Sequence, residues 1–179
     1  MGAEEDRIPI DPSGRPDLSH YTRSAEYYAA MHSRAIAPGG TYAERVHGQW
    51  GLIAKGQEAI PHALAMLASA KPDAREDGAA ILAEIGKGEG VVQSLLLALA
   101  AETDVEARDS LIQALGGLRN RAAIPALAAL IEDEDADGDT RWTAVESMGR
   151  IVRRHFLDKP DPVGAARDWI AAAGKRKAK

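Results

Sequence analysis

A chain of 179 residues, 45% hydrophobic but only 4% aromatic, has room for one ordinary domain or a short repeat array whose core is built from Ala, Leu, Ile and Val. Its net charge of −5 argues against non-specific adhesion to nucleic acid or to an anionic membrane, both of which reward a basic face. Without cysteine there is no disulfide, no thiolate nucleophile and no Cys-ligated zinc, a composition that suits the cytoplasm.

The first residues, "MGAEEDRIPI", are acidic and have no apolar run, so they do not read as a signal peptide. Asp6 breaks the myristoylation pattern that Gly2 would open. Pro9, Pro12 and Pro16 make residues 1–20 an extended arm. A helix over "SAEYYAAMHSRA" follows, then the breaker Pro38-Gly39-Gly40, then a helix over "TYAERVHGQWGLIA".

From here the chain repeats itself. "AIPHALAML" at Ala59, "VVQSLLLAL" at Val91 and "AIPALAALI" at Ala123 align in three columns. These columns are Ile60, Val92 and Ile124; Ala63, Leu95 and Leu127; and Leu67, Leu99 and Ile131. Apolar residues at i, i+3 and i+7 mark one helical face. Pro61 and Pro125 fall in the first turn, where a missing N–H costs nothing.

A second phrase sits between the copies of the first. It reads "AREDGAAILAEIG" from Ala74, "ARDSLIQALGGLR" from Ala107 and "TRWTAVESMGRIV" from Thr140. Arg75, Arg108 and Arg141 coincide, as do Leu82, Leu115 and Met148, and Ile85, Leu118 and Ile151. Ala83, Gly116 and Gly149 keep one position small, and Gly51 precedes them in the degenerate first unit, so a neighbouring helix could come close there. Each unit is thus two helices that bury their apolar faces only by stacking. A last helix, "DPVGAARDWIAAAG", follows Pro160 and caps the array. In all there are about nine helices and no strand. The expected fold is an all-α solenoid of about four to five hairpins over residues 21–173, followed by a basic flexible tail over 174–179.

Residues 41–155, with the pattern "AIPALAALIEDED…TRWTAVESMGRI", resemble HEAT or HEAT-like repeats of the kind also found in phycobilin lyases. The resemblance implies that the second helix of each unit lines a concave face. It also implies that the repeated Arg binds an acidic residue in the turn before it or in a neighbouring unit, and Asp73, Asp104 and the Asp135–Asp139 cluster precede Arg75, Arg108 and Arg141. The architecture serves scaffolds, adaptors, bilin lyases, deoxyhypusine hydroxylases and alkylpurine DNA glycosylases, so the fold does not choose among them.

No catalytic residue, cofactor site or metal site is expected. Asp133, Asp135, Asp137 and Gly138 open like a calcium loop, but the twelfth position is Ala144 where a bidentate Glu is needed. A solvated acidic turn is the alternative. No His-Glu pair of the hydroxylase kind occurs. His62 is placed on the solvent side of its helix and His47 toward the groove. "GKGEG" at Gly86 lacks the strand and the Lys-Ser/Thr ending of a phosphate loop.

The face opposite the buried stripe of the second helices is more informative. One column runs Glu44, Glu76, Asp109 and Trp142, with Gln113, Glu146 and Arg150 beside it. Acids next to an indole suit a basic or amphipathic peptide. The alternative is that Trp142 packs against the Phe156–Pro160 bend and the acids only solubilise. The expected function is a non-catalytic protein-interaction module, cytoplasmic, without nucleic-acid or membrane partners. Two further readings rest on the resemblance: a lyase-like or chaperone-like accessory to a cofactor-bearing partner, and a nucleic-acid-binding or DNA-repair protein.

Overall fold

The computed structural model describes residues 10–11, 16–86 and 90–177. Most of the expected arm, the middle of "GKGEG" and the last two residues of the expected tail lie outside that range. The chain divides into two compact units, residues 1–88 and 89–179.

In unit 1 the helices are α1 (Ala25–Ala35), α2 (Tyr42–Lys55), α3 (Ile60–Leu67) and α4 (Pro72–Ile85). Their starts follow from local chemistry. The Ser24 hydroxyl caps α1 by accepting from the Tyr27 N–H. Thr41 and Glu44 close a capping box on α2, each satisfying the other's backbone N–H. A 3₁₀ turn over Gly56–Ala59 leads into α3, whose first turn holds Pro61, and Pro72 opens α4. α1 packs on α2, α3 on α4, and α2 on α4. Leu52, Ala63, Ile81 and Leu82 are wholly buried between them.

Unit 2 repeats the plan with α5 (Val91–Ala101), α6 (Val105–Leu118), α7 (Ile124–Glu132) and α8 (Gly138–Val152), and adds α9 (Pro162–Lys177). Asp104 and Asp137 cap α6 and α8 by accepting from the N–H of the residue three further on. Arg119 and Arg153 end the same helices in the left-handed region, at φ 51° and 56°, where glycine is the usual residue. α5 packs on α6, α7 on α8, α6 on α8, and α9 on both α7 and α8.

Most of the repeat columns read from the sequence become the core, while Ile60, Val92 and Ile124 stay half-buried. Leu82, Leu115 and Met148 are fully buried, as are Ala63, Leu95 and Leu127. The small position works as expected in unit 2. A Cβ on Gly116 would stand 2.6 Å from the Ser147 Cβ, so glycine is what lets α6 and α8 touch. In unit 1, Gly51 lies against the Tyr28 ring in the same way. The fold is all-α, a solenoid-type repeat of hairpins, and the described residues contain nine α-helices and one isolated bridge, Ile10 to Pro16.

One boundary differs from the sequence reading. α9 continues through Lys177, so residues 174–177 are helical and not part of a flexible tail. "GKRKAK" contains no proline, and Lys and Arg are good helix formers, so the apolar stripe of α9 ends before the helix does.

Candidate functional site

The repeated arginines are structural, and each donates to backbone carbonyls. Arg75 donates to the Ser69 carbonyl at 3.0 Å and Arg108 to the Glu102 carbonyl at 2.9 Å. Arg141 reaches the carbonyls of Asp133, Glu134 and Ala136 at 2.8, 3.0 and 3.0 Å. Each guanidinium therefore covers carbonyls of the turn that joins the two helices of its hairpin, where the preceding helix leaves oxygens without intrahelical partners. Arg167 of α9 does the same for α7, donating to the Ile131 carbonyl at 3.2 Å, a role outside the repeat phase that the sequence reading missed.

The acidic turn of residues 133–137 already wraps a cation, the Arg141 guanidinium. Two of its carboxylates are also engaged: Asp133 accepts from the Asp135 N–H at 2.9 Å, and Asp137 from the Thr140 N–H at 2.8 Å. Among the described residues no group of three His, Asp or Glu side chains could hold a metal ion.

The seven residues expected on the second-helix face fall in both units. In unit 1, Glu44 belongs to the capping box of α2. Glu76 is tied to Arg45 at 3.2 Å. Arg45 was not singled out in the sequence, yet it organises this region. Its Nε donates to Asp77 at 2.6 Å, and it also pairs with Asp73 at 3.3 Å. The same Asp77 oxygen meets His32 Nε2 at 2.7 Å, with both side chains buried. Burial pushes the Asp77 carboxyl up, but the hydrogen bonds from His32 and Arg45 and the Arg45 charge bring it below its ordinary value. Burial raises Glu76 above its ordinary value; the Arg45 charge and hydrogen bond pull it down, the Asp77 and Asp73 charges push it up, and burial decides the sign. Glu44 and Glu76 thus each have a local partner.

His47 does not look into a groove. Its ring lies 4.9 Å from Tyr21 and 6.2 Å from Tyr28, and its Nδ1 and the Tyr21 hydroxyl are buried without a hydrogen-bond partner among the described residues. His62 is half-buried beside Glu26 at 3.8 Å.

Unit 2 holds the other five residues. Trp142 is 47% exposed, and Phe156 packs against Trp169 instead of Trp142, edge-on at 6.5 Å. Asp139 and Glu146 stand three residues before and four after Trp142, on the same side of α8. Glu146 pairs with Arg150 at 2.7 Å. On α6, Gln113 is exposed, and Asp109 accepts from the Thr140 hydroxyl at 3.3 Å across to α8. Burial, then the Asp137 and Asp139 charges, raise the Asp109 carboxyl above its ordinary value against the pull of that hydrogen bond. The result is an exposed indole with carboxylates around it. No nucleophile–base pair accompanies it among the described residues.

Among the described residues no helix is long and apolar enough to cross a membrane. Neither a curated protein nor a solved structure matches the chain. Residues 92–167, within unit 2, match the family described as HEAT repeats. Together with the paired helices, the recurring apolar columns and the arginines bound to the turns, this match supports a HEAT-like repeat architecture.

Proposed function

We propose that this chain is a non-catalytic, cytoplasmic protein-binding module that engages a basic or amphipathic peptide on the α6–α8 face of unit 2. HEAT repeats commonly serve as protein-interaction scaffolds and are generally non-enzymatic. The observation that carries the reading is Trp142: a large apolar side chain left nearly half exposed on an otherwise well-buried helix. Indoles are frequent anchors of binding energy, and flanking acids act on association rate and orientation. Asp109, Gln113 and the Glu146–Arg150 pair form the polar surround.

A displayed library of random peptides tests this. Enriched binders should be basic with an apolar residue, and Trp142→Ala should weaken them about tenfold or more, as for a hot-spot residue. Binders that ignore Trp142→Ala, or that are acidic on this face, would sink the reading.

A further inference from the structure

Unit 2 has a second polar surface at the other end of its second helices. The turn after α6 carries Arg119 and Arg121, and the turn after α8 carries Arg153, Arg154 and His155. Between them and α9 lies a pocket of about 580 Å³. Ile124 and Pro125 of α7 and Trp169 and Ala172 of α9 give it an apolar wall, and Arg121 and Arg154 supply its charge. No carboxylate lines it. Among the described residues neither guanidinium makes an ion pair or a side-chain hydrogen bond. Phe156, edge-on to Trp169, steadies the indole that forms part of the wall.

Two un-neutralised guanidinium groups beside an aliphatic wall define their complement. An inorganic anion would satisfy the arginines and leave the wall wet. A purely apolar ligand would strand the charges. A carboxylate joined to a bulky apolar group satisfies both, because guanidinium grips carboxylate through paired N–H donors. The volume lies within the range of sites that enclose a compact ligand. A continuous phosphate backbone fits less well. The adjoining hollow of about 570 Å³, which shares Arg154 and Trp169, is lined by Asp158 and Asp168.

We propose that this pocket is a second docking site, which takes an acidic segment of a partner protein bearing a bulky apolar side chain beside its carboxylates. Arg121 and Arg154 hold the carboxylate, and Trp169, Ile124 and Pro125 receive the apolar side chain. The proposal shares with the previous section the premise of a protein-binding module, but it does not depend on Trp142.

The test uses the full chain and an array of short labelled peptides in which Asp and Glu flank Leu, Ile, Phe or Trp. An all-Glu peptide, a single-stranded oligonucleotide of equal charge and vesicles of anionic lipid serve as comparison probes. The acidic-apolar peptides should bind saturably and outcompete all three. Arg121→Gln and Arg154→Gln, both at exposed positions, should each weaken them about tenfold with the melting temperature unchanged, while Trp142→Ala leaves them alone. Equal binding to the Arg121→Gln/Arg154→Gln variant, tighter binding of the oligonucleotide or vesicles, equal binding of the all-Glu peptide, or no saturable binding of any peptide in the array would each overturn the proposal. Loss through Trp142→Ala would place the peptides on the other face and overturn it too. Failure here leaves the Trp142 library result standing, so the two readings fall separately.

Discussion

The two units share a plan and differ in what joins their second helices. In unit 1, Arg45 on α2 and Asp77 on α4 occupy the same repeat position one unit apart and meet at 2.6 Å. His32 and Glu76 extend the pair into a charged cluster, and Tyr21, Tyr28 and His47 pack nearby in the same unit. In unit 2 the corresponding positions are Ser110 and Thr143, and α6 meets α8 through Gly116 against Ser147. The family match lies entirely in the second unit. A repeat signature records apolar and small residues at fixed positions, and unit 1 has traded some of these for charges and rings. Divergence here means a different way of joining helices on one backbone plan.

The largest effect should come from breaking the charged joint. Asp77→Ala leaves a guanidinium and an imidazole without their shared acceptor in a site where Asp77 is only 5% exposed. Removing one partner of such a buried pair costs about 3–5 kcal/mol. Urea unfolding should show a loss of that order, and hydrogen exchange should localise it to unit 1. Replacing Arg45, Asp77 and His32 together by Met, Leu and Leu should recover much of it, since an apolar joint of similar volume needs no desolvated charge. A loss spread evenly over both units would contradict the contrast.

The packed joint of unit 2 should break more gently. Gly116→Ala forces its Cβ into the space of Ser147 and should cost about 1–3 kcal/mol through overpacking. Ser147→Gly in the same chain should restore only part of the loss, since the residue 147 Cα would still stand 2.8 Å from the new Cβ. If Gly116→Ala were neutral alone, close approach would not be what holds α6 to α8.

These two joints were unequally legible. The Gly116 position followed from aligning "AREDGAAILAEIG" with its later copies, because small residues at a fixed phase show directly in the letters. The Arg45–Asp77 pair also left a signal, opposite charges in one repeat column, but the sequence reading followed the neighbouring column of Glu44, Glu76 and Asp109. The arginine ladder was visible while its carbonyl acceptors were not, since backbone carbonyls carry no letter. The Arg121–Arg154–Trp169 pocket could not be read at all. It depends on how α9 lies along α7, and α9 is outside the repeat phase.

Acid should separate the units by a smaller amount. The Asp77 carboxyl is held below its ordinary value of about 3.9, so its contribution is fully present above that value and is lost as pH falls through the lowered folded one. Glu76, raised by burial, acts in the opposite sense within the same unit and offsets part of the loss. In unit 2 the raised Asp109 favours the folded state as it protonates. Below about pH 4, unit 1 should therefore lose hydrogen-exchange protection before unit 2, and Asp77→Asn should flatten that difference. Earlier loss of protection in unit 2 would reverse the assignment of the two joints.

The smallest stability effect should come from Trp142. Nearly half its surface is already in water, and the aromatic rings of Phe156 and Trp169 in unit 2 pack on each other. Exposed positions away from caps and joints usually change stability by less than about 0.5 kcal/mol. Trp142→Ala should therefore leave the urea midpoint of unit 2 almost unmoved, in contrast to Gly116→Ala two turns' depth into the same α6–α8 joint. The indole lies one turn into α8 and the Arg153–Arg154 turn just beyond its last residue, so about 18 Å separates the acidic and basic ends along the helix axis. That span makes the two surfaces independent in a binding assay and suits one extended partner whose own charge changes sign along its length. Joining a basic-apolar and an acidic-apolar peptide by a linker long enough to cover it should bind more tightly than either alone, and each gain should vanish with its own variant, Trp142→Ala or Arg154→Gln. A linked peptide no tighter than its parts would show that the two faces of unit 2 serve separate partners.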